Sequence, residues 1–163
     1  MIRQSRHASR VLCLDPAGRV LMLASVDPDV TRWVAPGGYI NEGESSHALA
    51  CRSLWQQLGL AVDDLGAAMP ERDRVPSVDG LTHITWFAVR VQVFEPVPAN
   101  GLMMDYCWLH PDELDSVGGT HRVEPEETST VVREAHELLP LTAAALGVLG
   151  TWWTDRPVEP RSV

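Results

Sequence analysis

The sequence contains no lysine, and all 13 of its lysine-plus-arginine residues are arginine. This absence excludes a Schiff-base lysine and a lysine phosphate clamp, so every permanently cationic side chain is a guanidinium. The sequence also lacks a run of about 18 consecutive apolar residues, so we expect no membrane span. Its first residues contain no apolar signal-peptide core, and the expected location is therefore the cytoplasm.

The sequence has few cysteines, and its acidic residues outnumber its basic ones. The three cysteines, Cys13, Cys51 and Cys107, are odd in number and too far apart for a zinc knuckle. We expect them to be small buried apolar residues. The formal net charge of −9 opposes binding to the phosphate backbone of a nucleic-acid polymer.

A chain of 163 residues is expected to form one domain. We assign that domain to residues 1–150, and we expect residues 151–163 to form a loosely ordered tail.

The first half of the chain has strand patterns followed by one helix. Residues 10–15 and 19–26 are rich in β-branched and apolar side chains and are predicted to form a hairpin, followed by a short strand at 32–35. The glycines after Pro36 are expected to break that strand. Ser45 or Ser46 can cap a helix that runs to about Leu58, with Gly59 as its end.

The second half has further strand patterns and a final helix. Strands are predicted over residues 81–94 and 103–109, a short helix begins at residue 111, and a helix covers residues 125–139. This order predicts an α/β class fold in which a mixed β-sheet lies between α-helices, in α/β/α layers.

A spaced motif spans the glycine turn and the first helix. Six of its residues are Gly38, then Glu44, Arg52, Leu54, Gly59 and Leu60. These residues and spacings resemble the signature of the Nudix (MutT-like) hydrolase superfamily. The segment before it, Trp-Val-Ala-Pro-Gly-Gly at 33–38, and the stretch at 108–114 are also similar to Nudix proteins. The resemblance implies the Nudix fold.

Three positions depart from that signature. The family has glutamate where this chain has Ser53, Gln56 and Gln57. Those positions lie within an arc of roughly 100° on one helix, so three carboxylates there would converge on a magnesium or manganese ion. A hydroxyl and two amides carry no charge, and the predicted metal site is weakened or absent. The implied cofactor is therefore Mg or Mn, with no cofactor as the alternative.

The resemblance implies roles for the residues that remain. Glu44 and Arg52 match the family's catalytic positions, and their other interpretation is a brace between loop and helix. Glu44, Gln56 and Gln57 are the candidate metal positions, and Glu42 is a candidate replacement carboxylate.

Aromatic and histidine residues are candidates for substrate binding. Trp33 and Tyr39 flank the turn of Gly37 and Gly38 and could stack on a flat ligand, and His83 could line a cleft from its strand. Each could instead be a packing residue, and the two glycines are also required by the backbone. Trp86 is expected in the core.

An acidic cluster near His121 offers one more candidate. Glu124, Glu126 or Glu127 could supply a late-loop base, although acidic residues before a helix also stabilise its N-terminus.

Three hypotheses of function follow. The first is an atypical Nudix enzyme acting on a small diphosphate-containing, nucleotide-type or related metabolite. The second is a non-catalytic Nudix domain that binds a ligand or partner, and the third is a metal-independent reaction in the same cleft. The expected partners are a small-molecule substrate or ligand and, in a homodimer, a second copy of the chain.

Overall fold

The structure is a computed structural model that describes residues 6–26, 28–66, 68–70, 75–77, 80–101 and 105–138. The predicted tail at 151–163 lies outside these residues. The strands are β1 (Arg6–Leu14), β2 (Val20–Val26), β3 (Thr31–Val34), β4 (Gly37–Tyr39), β5 (Val75–Ser77), β6 (Gly80–Arg90), β7 (Tyr106–Leu109) and β8 (His121–Val123). The helices are α1 (Ser46–Leu58), α2 (Pro111–Ser116) and α3 (Thr128–Leu138).

Within the described residues, the strands form one mixed sheet of eight. Its main order is β5-β6-β1-β2-β3-β8, with β4 paired to β1 and β7 paired to β2. The β1–β6 and β3–β8 pairs are parallel and the remaining pairs are antiparallel. The predicted hairpin is confirmed, because β1 and β2 are antiparallel and Leu14 is in register with Val20.

The sheet has a hydrophobic core on each face, because successive side chains of a strand point to opposite sides. Leu12 and Leu14 of β1 belong to the core that also contains Val131 and Val132 of α3. We call this side of the sheet the α3 face. Val11 and Cys13 belong to the other core, with Leu54 and Leu58 of α1; this side is the α1 face. Helices therefore cover both faces of a mixed sheet, and the predicted α/β/α class is confirmed.

Helix α1 has the predicted bounds and caps. The Ser45 hydroxyl accepts a hydrogen bond from the Ala48 N–H at 3.0 Å, which satisfies one of the free donors at a helix start. Gly59 ends the helix with φ 70°, and its N–H donates to the Trp55 carbonyl at 2.9 Å. These caps fix the register of the helix that carries positions 52 to 57.

Two predicted boundaries were wrong. The strand predicted over residues 81–94 ends at Arg90 as β6. The predicted break after the strand at 32–35 is confirmed, and Gly37 and Gly38 then begin β4, which pairs with β1 and was not predicted. Helix α3 starts at Thr128 and not at Pro125, because the Thr128 N–H and hydroxyl both donate to the Pro125 carbonyl and close a turn before the helix.

The predicted burial of the cysteines is complete only for Cys13. All three cysteines are free; Cys13 is buried and the other two are partly buried. Of the helices that the structure describes, none has the length and hydrophobicity to cross a membrane.

Candidate functional site

The loop before α1 is joined to the helix by one two-point ion pair. Arg52 Nε donates to Glu44 Oε2 at 2.8 Å, and Arg52 Nη2 donates to Glu44 Oε1 at 3.0 Å. The Asn41 N–H also donates to Glu44 Oε1, at 3.3 Å. The hydrogen bond from Arg52 is the main reason that the pKa of Glu44 lies below its ordinary value, and the same contact raises the pKa of Arg52. This geometry is that of the brace anticipated from the sequence.

Both glutamines of the helix are engaged by the protein itself. Gln56 Oε1 accepts a hydrogen bond from Arg52 Nη1 at 3.0 Å. The Gln57 amide forms two hydrogen bonds with the backbone of one residue: Oε1 accepts from the Gly37 N–H at 3.1 Å, and Nε2 donates to the Gly37 carbonyl at 2.9 Å. A glutamate could not form this pair when ionised, because a carboxylate has no N–H to donate.

Ser53 occupies a different environment from the two glutamines. It is only 2 % exposed, on a helix whose neighbouring Leu54 is fully buried. A small hydroxyl fits there, whereas a carboxylate would have to lose most of its hydration.

The glycine turn is held from several sides. Gly37 has φ +151°, and a Cβ placed on it would lie 1.9 Å from the Ser9 carbonyl oxygen. The Val11 N–H donates to the Pro36 carbonyl at 2.8 Å, and Arg10 Nη1 donates to the Ala35 carbonyl at 3.0 Å. Gly37 is therefore required by close approach of β1, while Gly38 has no atom within 4 Å of such a Cβ.

These residues do not fit the divalent metal that the resemblance implies. Both Glu44 oxygens accept hydrogen bonds from Arg52, and the side-chain oxygens of Gln56 and Gln57 accept from the protein. Among the residues that the structure describes, no three His, Cys, Asp or Glu side chains converge as a metal-binding group. Glu42 is exposed and lies in the turn before Glu44. It belongs to no group of three potential metal-binding side chains among the described residues.

The candidate stacking residues already have partners. The Trp33 ring stacks on His121 with centroids 6.2 Å apart, and Trp33 Nε1 donates to His121 Nδ1 at 3.0 Å. The guanidinium of Arg6 lies over the Tyr39 ring at 4.7 Å, and Tyr39 is 48 % exposed. His83 makes an edge-on contact with the ring of His7. The structure therefore places these three residues in three separate contacts.

Two of the three late acidic residues line a pocket of about 530 Å³. Glu124, Glu126, Asp115 and His121 are among the residues that line it. Glu124 is paired with Arg32 at 3.1 Å. The structure thus brings part of the predicted acidic cluster to a concave surface.

Arg10 was not predicted from the sequence to be a candidate functional residue. The signal was present, because an arginine stands inside a strand whose next four residues, at 11–14, are all apolar.

Trp86 was predicted in the core and is buried at 2 % exposure.

Comparison with known proteins identifies the family. The NUDIX domain profile matches residues 4–122. A putative 8-oxo-dGTP diphosphatase 2 of Mycobacterium tuberculosis is 31 % identical over 86 residues, which are 53 % of this chain and 59 % of that protein. The chain thus matches less than two thirds of the length of that relative.

Solved structures show the same fold. The MutT protein of Methanosarcina mazei superposes with a TM-score of 0.66 and 14 % identity, covering 86 % of this chain and 99 % of that one. An Ap4A hydrolase of C. elegans, solved as a binary complex, has a TM-score of 0.61 and 13 % identity, covering 82 % of this chain and 97 % of that one. Together with the profile match and the box geometry, these similarities show that the chain belongs to the Nudix family.

Proposed function

We propose that this protein binds a small diphosphate-containing, nucleotide-type metabolite, and that it does so without a metal ion held by α1. The observation that carries the proposal is the use of every side-chain oxygen at positions 44, 56 and 57 for hydrogen bonds inside the protein. A metal could enter only by displacing those bonds, and two of the three side chains would offer it no charge.

The ligand class follows from the family. The relatives reported above are named for the hydrolysis of 8-oxo-dGTP and of Ap4A, both nucleotides with linked phosphates. Nudix hydrolases generally use a divalent metal such as Mg or Mn. In this chain the glycine turn and the Glu44–Arg52 brace are kept, which supports a retained cleft, whereas the three metal positions are altered.

A stability screen tests this proposal. The full chain is melted with nucleoside diphosphates, nucleoside triphosphates, nucleotide sugars and dinucleoside polyphosphates, in EDTA or in Mg²⁺, with nucleosides as the control. We expect one phosphate-bearing class to raise Tm in EDTA by ligand linkage. We expect Mg²⁺ to add no further stabilisation and to produce no release of phosphate. Magnesium-dependent hydrolysis of any member would contradict the proposal.

The pocket at β8 favours a second candidate, a metal-independent reaction with a carboxylate as general base. Glu126 is exposed there, beside His121 and Glu124. A carboxylate on a concave surface can accept a proton from a substrate if the two come within hydrogen-bond distance.

Product analysis of the same screen in EDTA tests this candidate. Any turnover should fall by about 100-fold or more in Glu126→Gln, which keeps the size of the side chain and removes its basicity. Glu137→Gln, on the exposed side of α3, is the control. Turnover that is equal in the two variants would eliminate Glu126 as the base.

A further inference from the structure

Arg10 is a strand arginine with an incomplete set of partners. It lies on β1 in register with Gly37 on one side and Trp86 on the other. Its Nη1 donates to the Ala35 carbonyl at 3.0 Å. Its Nε is shielded from solvent and has no hydrogen-bond partner among the described residues. A buried donor without a partner is costly, so the position calls for an explanation.

Arg52 shows how the Nε–Nη2 edge of a guanidinium binds a carboxylate. Its Nε and Nη2 donate side by side to the two oxygens of Glu44. In Arg10, Nη1 is bonded to a backbone carbonyl, and the Nε–Nη2 edge faces no acceptor in the described part of the chain. That edge is the geometry that matches a carboxylate or phosphate in two-point binding.

Trp86 adds a second unsatisfied donor on the same face. Leu12 and Trp86 belong to the core of the α3 face, and Arg10 points to that face because it lies two residues before Leu12. Trp86 Nε1 is buried and lacks a hydrogen-bond partner among the described residues. Residues in register on neighbouring strands lie roughly 5 Å apart. A cationic edge and an indole N–H therefore start from adjacent positions.

The charge of Arg10 is also uncompensated. No carboxylate of the described residues forms an ion pair with it, although the chain as a whole carries a net charge of −9. Loss of hydration on burial lowers the pKa of the Arg10 guanidinium, and Tyr39 acts in the opposite direction. A partly buried cation whose Nε is shielded from solvent gains most from an anion that enters its site.

We propose that the Nε–Nη2 edge of Arg10, together with the indole N–H of Trp86, binds a phosphate group of the ligand on the α3 face of the sheet. This inference rests on the proposed function for the choice of phosphate as the anion. In this proposal, Arg10 on β1 recognises the charge of the phosphate group. The altered α1 positions cannot recognise it through a metal ion, because they have no carboxylates to hold one.

Nuclear magnetic resonance of the full ¹⁵N-labelled chain tests the contact with inorganic pyrophosphate as the probe. We expect pyrophosphate to shift the Arg10 Nε–H signal and the Trp86 indole signal, which are assigned by loss in Arg10→Lys and Trp86→Phe. Acetate serves as the carboxylate arm, and an equal response to acetate would overturn the assignment to phosphate.

Affinity measurements on matched variants test the role of the charge. Arg10→Met should weaken pyrophosphate binding by about 10- to 100-fold, the usual effect of losing hydrogen bonds to a charged group. Arg10→Lys keeps the charge but not the two-donor edge, and should weaken it by several-fold. Arg133→Met removes the same charge from the exposed ion pairs of Arg133 with Asp112 and Asp115 and should change binding by less than about twofold. Circular dichroism confirms folding, and Arg10→Lys carries the test if Arg10→Met does not fold.

The outcomes separate this inference from the proposed function. No pyrophosphate binding at about 10 mM, a concentration that detects even weak complexes, would overturn the inference. Binding that leaves the Arg10 signal unmoved would overturn it as well. Nucleotides that stabilise wild type and Arg10→Met equally would leave the proposed function standing and remove Arg10 from it. Pyrophosphate shifts at Arg10 without nucleotide binding would keep the anion site and reject the ligand class.

Discussion

The loop half and the helix half of the box differ in how they depart from the family pattern. The loop half contains Glu44, which forms a two-point ion pair with Arg52 of the helix. The later helix positions replace carboxylates with Ser53, Gln56 and Gln57. The residues that shape the turn thus match the family pattern. At two of the positions where the family binds metal, this chain has glutamines that form hydrogen bonds within the protein instead.

The largest effect is expected at the turn that joins the two halves. Gly37→Ala would place a Cβ 1.9 Å from the Ser9 carbonyl oxygen at a φ of +151°. We expect a loss of roughly 3 kcal/mol or more in the free energy of unfolding, from overpacking and backbone strain together. Gly38→Ala is the matched control, because its Cβ would meet no atom within 4 Å. Urea unfolding measures both, and equal stability of the two variants would refute the close-approach argument.

Ser53→Glu is expected to have the next largest effect. The position is 2 % exposed, so an ionised carboxylate there should cost about 2–4 kcal/mol of unfolding free energy. Gln56→Glu is the control, because its carboxylate would accept a charge-assisted hydrogen bond from Arg52 and should cost roughly nothing. Both are measured with and without Mg²⁺. Recovery of Ser53→Glu by Mg²⁺ would show that the site can still assemble around a metal.

Gln57→Glu should have a smaller effect that depends on pH. The ionised side chain loses the donor to the Gly37 carbonyl, which should cost about 1–2 kcal/mol. The pKa of the new carboxyl should be raised in the folded state, because its protonated form can donate to that carbonyl. The deficit is therefore complete above the folded pKa and disappears as pH falls through it. A deficit that is constant from acid to neutral pH would contradict this explanation.

The smallest effect concerns the brace in the wild-type chain. The pKa of Glu44 is lowered from an ordinary value of 4.5, chiefly by the hydrogen bond from Arg52. The stability that this pair contributes is therefore present above the unfolded-state pKa and is lost as pH falls through the folded one. Acid titration of unfolding should show this loss in wild type, and Glu44→Gln should lack it. Identical acid profiles for the two chains would count against an ion pair in solution.

Local signals predicted much of the fold. The helix bounds followed from Ser45 and Gly59 as caps, and both are observed in those roles. Strand β6 followed from its β-branched and aromatic residues. The three-residue strands β5 and β8 were not predicted, because so short a strand is defined by its partner and not by its own composition.

The site was less predictable than the fold. The family resemblance implied that Glu44 and Arg52 meet, and they do. The pairing of Gln57 with the Gly37 peptide joins residues 20 positions apart and depends on how α1 packs against β4. The unsatisfied edge of Arg10 depends on the whole sheet, because only the absence of a partner from other strands makes it notable.

The two hydrogen bonds between the Gln57 amide and the Gly37 backbone bear on whether single substitutions could give this box a metal site. A single change back to glutamate removes one of the two hydrogen bonds before any metal could be gained. A three-carboxylate helix must therefore pass through a less stable protein at positions 53 and 57, since of the three changes only Gln56→Glu is expected to be neutral. The Gln57–Gly37 contact therefore stabilises the box as it stands and opposes single substitutions toward a carboxylate metal site.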